Sequence, residues 1–144
     1  MFGLCGYGTL LTGSTWSVGE AGAVLLLSRG VWTEAVAGGR GGDLRSCFAA
    51  TDGRMWAVGV GGRVRAWDGR AWSEPRSTTL RNLNGVWGDW AVGAGGTILR
   101  KLPSDYRVVS SGVTEDLFGV HGYHSSSTYV FAVGSGGTIL RWWE

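Results

Sequence analysis

Residues 90–100 read WAVGAGGTILR, and the phrase returns as FAVGSGGTILR at 131–141, WAVGVGGRVRA at 56–66 and WSVGEAGAVLL at 16–26. From the first copy to the last, they start 40, 34 and 41 residues apart. Repetition at nearly one spacing points to a small supersecondary unit used four times. The unit extends to both sides of the phrase. Upstream lies a Leu-x-small-x-aromatic segment: LCGYG from Leu4, LRSCF from Leu44, LNGVW from Leu83 and LFGVH from Leu117, with Gly6, Ser46, Gly85 and Gly119 in register. Downstream, VWTEAV from Val31 and AWSEPR from Ala71 match each other, and YRVVS from Tyr106 is a looser third copy.

Each unit reads as four short strands, a to d, bounded by Gly, Asp or Ser, as antiparallel strands joined by hairpins should be. The GxGG runs at 59–62, 93–96 and 134–137 join strand b to strand c, where a tight turn needs backbone angles that only glycine adopts freely. Asp68-Gly69 is a hairpin dipeptide between c and d of the second unit. Four-stranded sheets at a ~40-residue period are the arithmetic of a β-propeller. In that arrangement each sheet is covered on both faces, so its middle strands should be apolar on both, and WAVG and TIL are. The innermost strands crowd, which suits a small residue in strand a, while the outer strands leave room for Trp32 and Trp72. Trp56→Ala should therefore cost about 3 to 5 kcal/mol.

Composition agrees with this pattern and excludes several classes. The 144 residues include 27 glycines, nine tryptophans and only two prolines, and 44% are hydrophobic. Collagen, flexible linker and disordered chain are all inconsistent with that mixture. Glycine at this density also argues against long helices. The expectation is one all-β domain over 1–144: a β-propeller of about four blades of four antiparallel strands, at roughly 4–40, 44–79, 83–112 and 117–144. The last blade lacks its outer strand, giving fifteen strands and an incomplete ring. Such a chain is either a fragment of a larger propeller or a protomer that closes by self-association.

The formal charge is +2, from twelve arginines and one lysine against eleven acids. That is too small to imply nucleic acid, and Arg with Trp on a β surface is as readily structural as functional. The two cysteines, Cys5 and Cys47, fit either a bridge or free buried thiols. No secretion or lipid signal is legible, and the longest apolar run, Ala23 to Leu27, falls far short of the ~18 residues a membrane span needs. Nothing in the composition fixes a cellular location.

LNGVWG, WAVGAGGTILR and RAWDGRAWSE resemble the repeats of bacterial YVTN/BNR-like propellers, the superfamily that includes photosystem II assembly and stability factors and, more distantly, sialidases. The resemblance covers nearly the whole chain. It implies the propeller fold and leaves function open, because such propellers host many unrelated activities. In that family an Asp box occupies the c-to-d turn; Asp68, Gly69 and Trp72 match it in shortened form, while Ser28 to Gly30 and Pro103 to Asp105 depart from it. The box here reads as a folding device.

Most motifs with a chemical look have a structural reading. The GxGG turns are not followed by GK[ST] or a helix, so they do not make a phosphate loop. His121 and His124 in HGYH lack a third ligand of the usual kind, and His121 aligns with Phe48 and Trp87 as a packed aromatic. The single RGG within 37–43 reads as a connecting loop. No metal, cofactor or catalytic residue is expected. A sialidase-type glycan hydrolase is the enzyme alternative, but Tyr7, Tyr106, Tyr123 and Tyr129 and the arginines show no spacing that assembles one. A third reading is a truncated set of blades with no ligand of its own. The favoured expectation is a binding or assembly scaffold for a protein or peptide, with no nucleic acid and no membrane insertion. The d-to-a loops (40–43, 77–82 and 110–116) and the inner strands would carry its site. The candidates there are Arg45, Arg81, Asn82, Asn84, Glu115 and Asp116.

Overall fold

A computed structural model describes residues 2–7, 13–36, 41–124 and 127–143. Among them the chain is all-β, with no α-helix, and is divided into four small sheets. Sheet I holds β1 (Gly3–Tyr7), β2 (Ser14–Val18), β3 (Val24–Ser28) and β4 (Val31–Val36) in sequence order. Sheet II holds β5 (Leu44–Ala49), β6 (Met55–Gly59), β7 (Val64–Trp67) and the two-residue β8 (Trp72–Ser73). After it comes β9 (Arg76–Ser77), then sheet III with β10 (Leu83–Trp87), β11 (Trp90–Gly93), β12 (Ile98–Lys101) and β13 (Asp105–Val109). Sheet IV holds β14 (Leu117–His124), β15 (Thr128–Gly134) and β16 (Ile139–Trp143). Strands a to d thus fall where the repeat places them, every consecutive pair antiparallel.

One strand was not anticipated. The chain leaves sheet II at Pro75, which has no N–H to continue a ladder, and β9 then pairs in parallel with β13 at the edge of sheet III. The described strands number sixteen rather than fifteen.

The core lies between successive sheets. Trp16, Val18 and Val24 of sheet I meet Leu44, Met55 and Ala57 of sheet II. The opposite face of sheet II, with Trp56, Val58 and Val64, meets Val86, Ala91 and Leu99 of sheet III. Sheet III in turn sends Trp87, Trp90, Val92 and Ile98 against Leu117, Val130 and Ala132 of sheet IV. In each WAVG the Trp and Val look toward the next sheet and the Ala looks back, the period-2 consequence of a strand with two covered faces. First strands pack in series, β1 on β5, β5 on β10 and β10 on β14. No comparable packing joins β14 to β1 among the described residues.

The register of β1 corrects the alignment of the first unit. Ser46, Gly85 and Gly119 pair with Val58, Val92 and Val133, and the residue that pairs with Val18 in the same way is Gly3, not Gly6. A shift of three residues moves a side chain to the other face of a strand. Leu44, Leu83 and Leu117 are accordingly fully buried, whereas Leu4 is 67% exposed and holds the position of Cys47. The two cysteines are bonded, Cys5 to Cys47 with Cα atoms 5.7 Å apart, so a covalent link ties β1 to β5.

The turns follow their chemistry. In each b-to-c turn two successive residues lie in the left-handed region: Gly61 and Gly62, Gly95 and Gly96, Gly136 and Gly137, with Ala21 and Gly22 in sheet I. Asp68 Oδ1 accepts the N–H groups of Arg70 and Ala71, both at 2.8 Å, and Gly69 takes φ +99°. Those two backbone donors hold the Asp68 carboxyl below the usual carboxylate range, so the residue is occupied in shaping its turn.

Candidate functional site

The six candidates from sequence fall into two structural groups at the start of the first strands. Asn82 Oδ1 accepts the N–H of Gly61 in the preceding sheet at 3.0 Å, and the Asn82 carbonyl accepts the N–H of Ala94 in its own sheet at 2.9 Å. Asp116 repeats this, with Gly95 N–H on its Oδ1 at 2.7 Å and Ser135 N–H on its carbonyl at 2.9 Å. Asp43, absent from the candidates, is the first of the series, taking Ala21 N–H on Oδ1 at 2.9 Å and Val60 N–H on its carbonyl at 2.8 Å. Each residue staples two successive sheets. Arg81 adds to the second staple by donating from Nη1 to the Gly95 carbonyl at 2.8 Å.

The inner pair is joined as well. Arg45 Nη1 donates to Asn84 Oδ1 at 2.8 Å, and Asn84 Nδ2 donates to the Leu117 carbonyl at 2.9 Å, a polar chain across sheets II, III and IV. Glu115 is exposed, and its Oε2 accepts the N–H of Thr114 at 3.1 Å. These side chains come together in small groups, but four of the six (Arg45, Asn82, Asn84 and Asp116) are engaged in holding sheets to one another, and Arg81 ties its own sheet's turn. Of the first d-to-a loop, Arg40 and residues 37–39 lie outside the described residues.

At the opposite ends of the same strands, where a turns into b, the four sheets enclose a cleft of about 600 Å³. Its floor is aromatic because strand a ends on a large ring in successive units. Phe48 stacks on Trp56 with centroids 6.1 Å apart and meets Trp87 at 6.0 Å. Trp87 stacks in turn on His121 at 5.8 Å and His124 at 5.2 Å, so both histidines are packed against one indole. Tyr7, Trp90, Arg54, Asp89 and Arg100 complete the rim.

Cations lie over these rings. Arg54 and Lys101 sit 5.4 and 4.7 Å from the Trp56 ring centre, and Arg100 sits 5.4 Å from that of Trp90. Such contacts contribute roughly 0.5 to 1 kcal/mol at exposed sites and fix where a flexible head group points. Asp52 accepts from Arg54 Nε at 2.8 Å and pairs with Nη2 at 2.7 Å; that hydrogen bonding holds the Asp52 carboxyl below its usual range. Lys101 lies 3.6 Å from Asp89. The cleft can therefore receive a planar or apolar group on its rings, beside a rim that holds the Arg54–Asp52 pair, Asp89 and Arg100. Its lining has two arginines and no glutamate.

No protein-family model matches the chain. No curated protein matches it either. The cleft's own residues therefore carry the functional reading. Among the described residues no group of three or more His, Cys, Asp or Glu side chains is placed to hold a metal ion, and no helix is long and apolar enough to cross a membrane. The signal for the cleft was present in the sequence as the ring near the end of strand a in the last three units, Phe48, Trp87 and His121. Its convergence was not, because it depends on four sheets lying side by side.

Proposed function

We propose that this chain is a set of four YVTN/BNR-like β-propeller blades acting as a non-catalytic binding module. Its site is the aromatic cleft, which takes a protein or peptide segment carrying an apolar or aromatic group beside a carboxylate. The observation that carries the reading is the run of rings in one cleft, Phe48 stacked on Trp56 and tilted against Trp87, lined also by Arg100 and by Arg54, whose partner Asp52 a carboxylate of the ligand would replace. Aromatic and Arg side chains around a concave surface are the usual anchors of a binding site. The blade reading is supported by the repeat and by sheets that meet through equivalent faces. Loops 77–82 and 110–116 are less suited to ligand because their Asx side chains are already spent on backbone N–H groups.

Selection from a phage-displayed peptide library tests this. Selected peptides should carry acidic and aromatic residues, and Arg54→Ala with Arg100→Ala should weaken the best of them at least about tenfold, the order expected for losing charged hydrogen bonds. Binding indifferent to that pair of changes would overturn the site. Turnover of a fluorogenic sialoside would overturn the non-catalytic reading; the cleft lining, without a glutamate, lacks the Tyr/Glu pair that such chemistry uses.

A further inference from the structure

The interface between successive sheets has two halves, and among the described residues each carries exposed apolar side chains at one end of the series. One half is the face that looks toward the next sheet. Val18, Val58 and Val92 occupy one position of it, and Val24, Val64 and Ile98 the position paired with it; all six are essentially buried. The same two positions in sheet IV are Val133 and Ile139, paired in the same register but 48% and 71% exposed. Phe131, in the row of Trp16, Trp56 and Trp90, is exposed beside them. The other half is the face that looks back. Cys47, Val86 and Val120 present it in sheets II, III and IV, and Leu4 presents it in sheet I, open to solvent.

We infer that sheet IV docks on sheet I of a second copy of this chain, head to tail, and that two copies close into a pair through two such contacts. The occupant is set by continuity with the packing already used three times within the chain. A face of Val, Ile and an aromatic is covered there by the back of another sheet of the same repeat, and among the described residues the back that exposes its first-strand apolar residue, Leu4, belongs to sheet I. Contiguous exposed apolar surface of this kind marks an association site. A head-to-tail contact forms a ring when its rotation closes, and two copies supply eight sheets, within the usual size of a propeller. The inference concerns assembly and does not depend on which ligand the cleft takes.

Register supplies a test specific to this geometry. Cys5 pairs with Trp16 as His121 pairs with Phe131, and Cys47 pairs with Ala57 as Leu4 pairs with Ser17. His121 of one copy and Leu4 of the next would therefore stand as Cys5 stands to Cys47, whose Cα atoms are 5.7 Å apart. Light scattering on the unmodified chain should give twice the chain mass, and Ile139→Arg should give a single chain mass with an unchanged far-ultraviolet circular dichroism spectrum. Oxidation of the double variant Leu4→Cys, His121→Cys should yield a covalent pair on a non-reducing gel, which neither single variant yields. A single-chain mass for the unmodified protein at all concentrations would overturn the inference. A ladder of larger assemblies would overturn the closed pair.

Discussion

Asp116 and Gly95 lie in different sheets, yet the Gly95 N–H donates to Asp116 Oδ1 at 2.7 Å while the Asp116 carbonyl takes a second N–H, from Ser135, in its own sheet. Asn82 and Asp43 do the same one and two sheets earlier. The close approach of this carbonyl also explains the first glycine of each GxGG turn. A Cβ on Gly59, Gly93 or Gly134 would run into the carbonyl of Asp43, Asn82 or Asp116. Removing the side-chain acceptor leaves a turn N–H without its partner, so Asn82→Ala and Asp116→Ala should each cost about 1 to 2 kcal/mol. Asp116→Asn keeps an acceptor at the same atom, as Asn82 already does, and should stay within about 0.5 kcal/mol of the parent. Urea denaturation of the three variants checks this; equal losses for Asp116→Ala and Asp116→Asn would count against the staple.

Ala21 occupies the left-handed turn position that Gly61, Gly95 and Gly136 hold in the other sheets, at φ 51° against their 60° to 68°. An L side chain there costs roughly 1 to 2 kcal/mol, partly offset in an Ala→Gly change by the greater freedom glycine gives the unfolded chain. Ala21→Gly should therefore stabilise the protein by about 0.5 to 1 kcal/mol. Gly61→Ala should cost a similar amount, since a Cβ at Gly61 meets nothing within 4 Å and the backbone angle alone opposes it. Thermal midpoints that move in the same direction for both variants would refute the explanation.

The strands were legible because WAVG and TIL carry two-faced burial in their composition and the glycine pairs mark each turn. The first unit misled because Leu4 matches Leu44 as a letter, whereas register is set by pairing with Val18, which selects Gly3. The Asx staples have a visible signal: Asp43-Leu44, Asn82-Leu83 and Asp116-Leu117 recur, an Asx residue directly before each buried leucine. Their polarity suggested a surface for ligand, yet an Asx residue beside orphan turn donors is more readily satisfied by its own backbone. Pairing of β9 with β13 was hidden because a two-residue parallel strand leaves no periodicity.

The bond between Cys5 and Cys47 closes a loop across a sequence separation of 42 residues and joins the first strands of sheets I and II. Cross-linking at that separation removes enough unfolded-chain entropy to stabilise the fold by about 4 kcal/mol. Replacing both cysteines with serine, or adding reductant, should lower stability by that order. The comparison is a urea titration of the oxidised, reduced and doubly substituted protein. If all three unfold at one midpoint, the link between sheets I and II contributes nothing.

Glu74 gives the fold an acid-sensitive contact. Its Oε1 accepts from Arg63 Nη2 at 2.7 Å and Arg65 Nε at 2.9 Å, and the same arginines reach the Gly42 and Gly22 carbonyls at 3.1 and 2.9 Å. The hydrogen bond from Arg63, with Arg65 beside it, holds the Glu74 carboxyl below the ordinary glutamate range despite some burial. A carboxyl that is more acidic folded than unfolded contributes stability that is complete above its unfolded pKa, ~4.3, and is lost as pH falls through the lower folded value. Because the carboxylate is more than half exposed, solvent screening keeps the contribution to about 1 kcal/mol or less. Glu74→Gln should thus be less stable than the parent at neutral pH by up to that amount, with the difference shrinking as pH drops below ~4. Urea midpoints of the two proteins across that range decide the matter: a gap that stays constant into acid would mean that the charge on Glu74 is not what holds Arg63 and Arg65 in place.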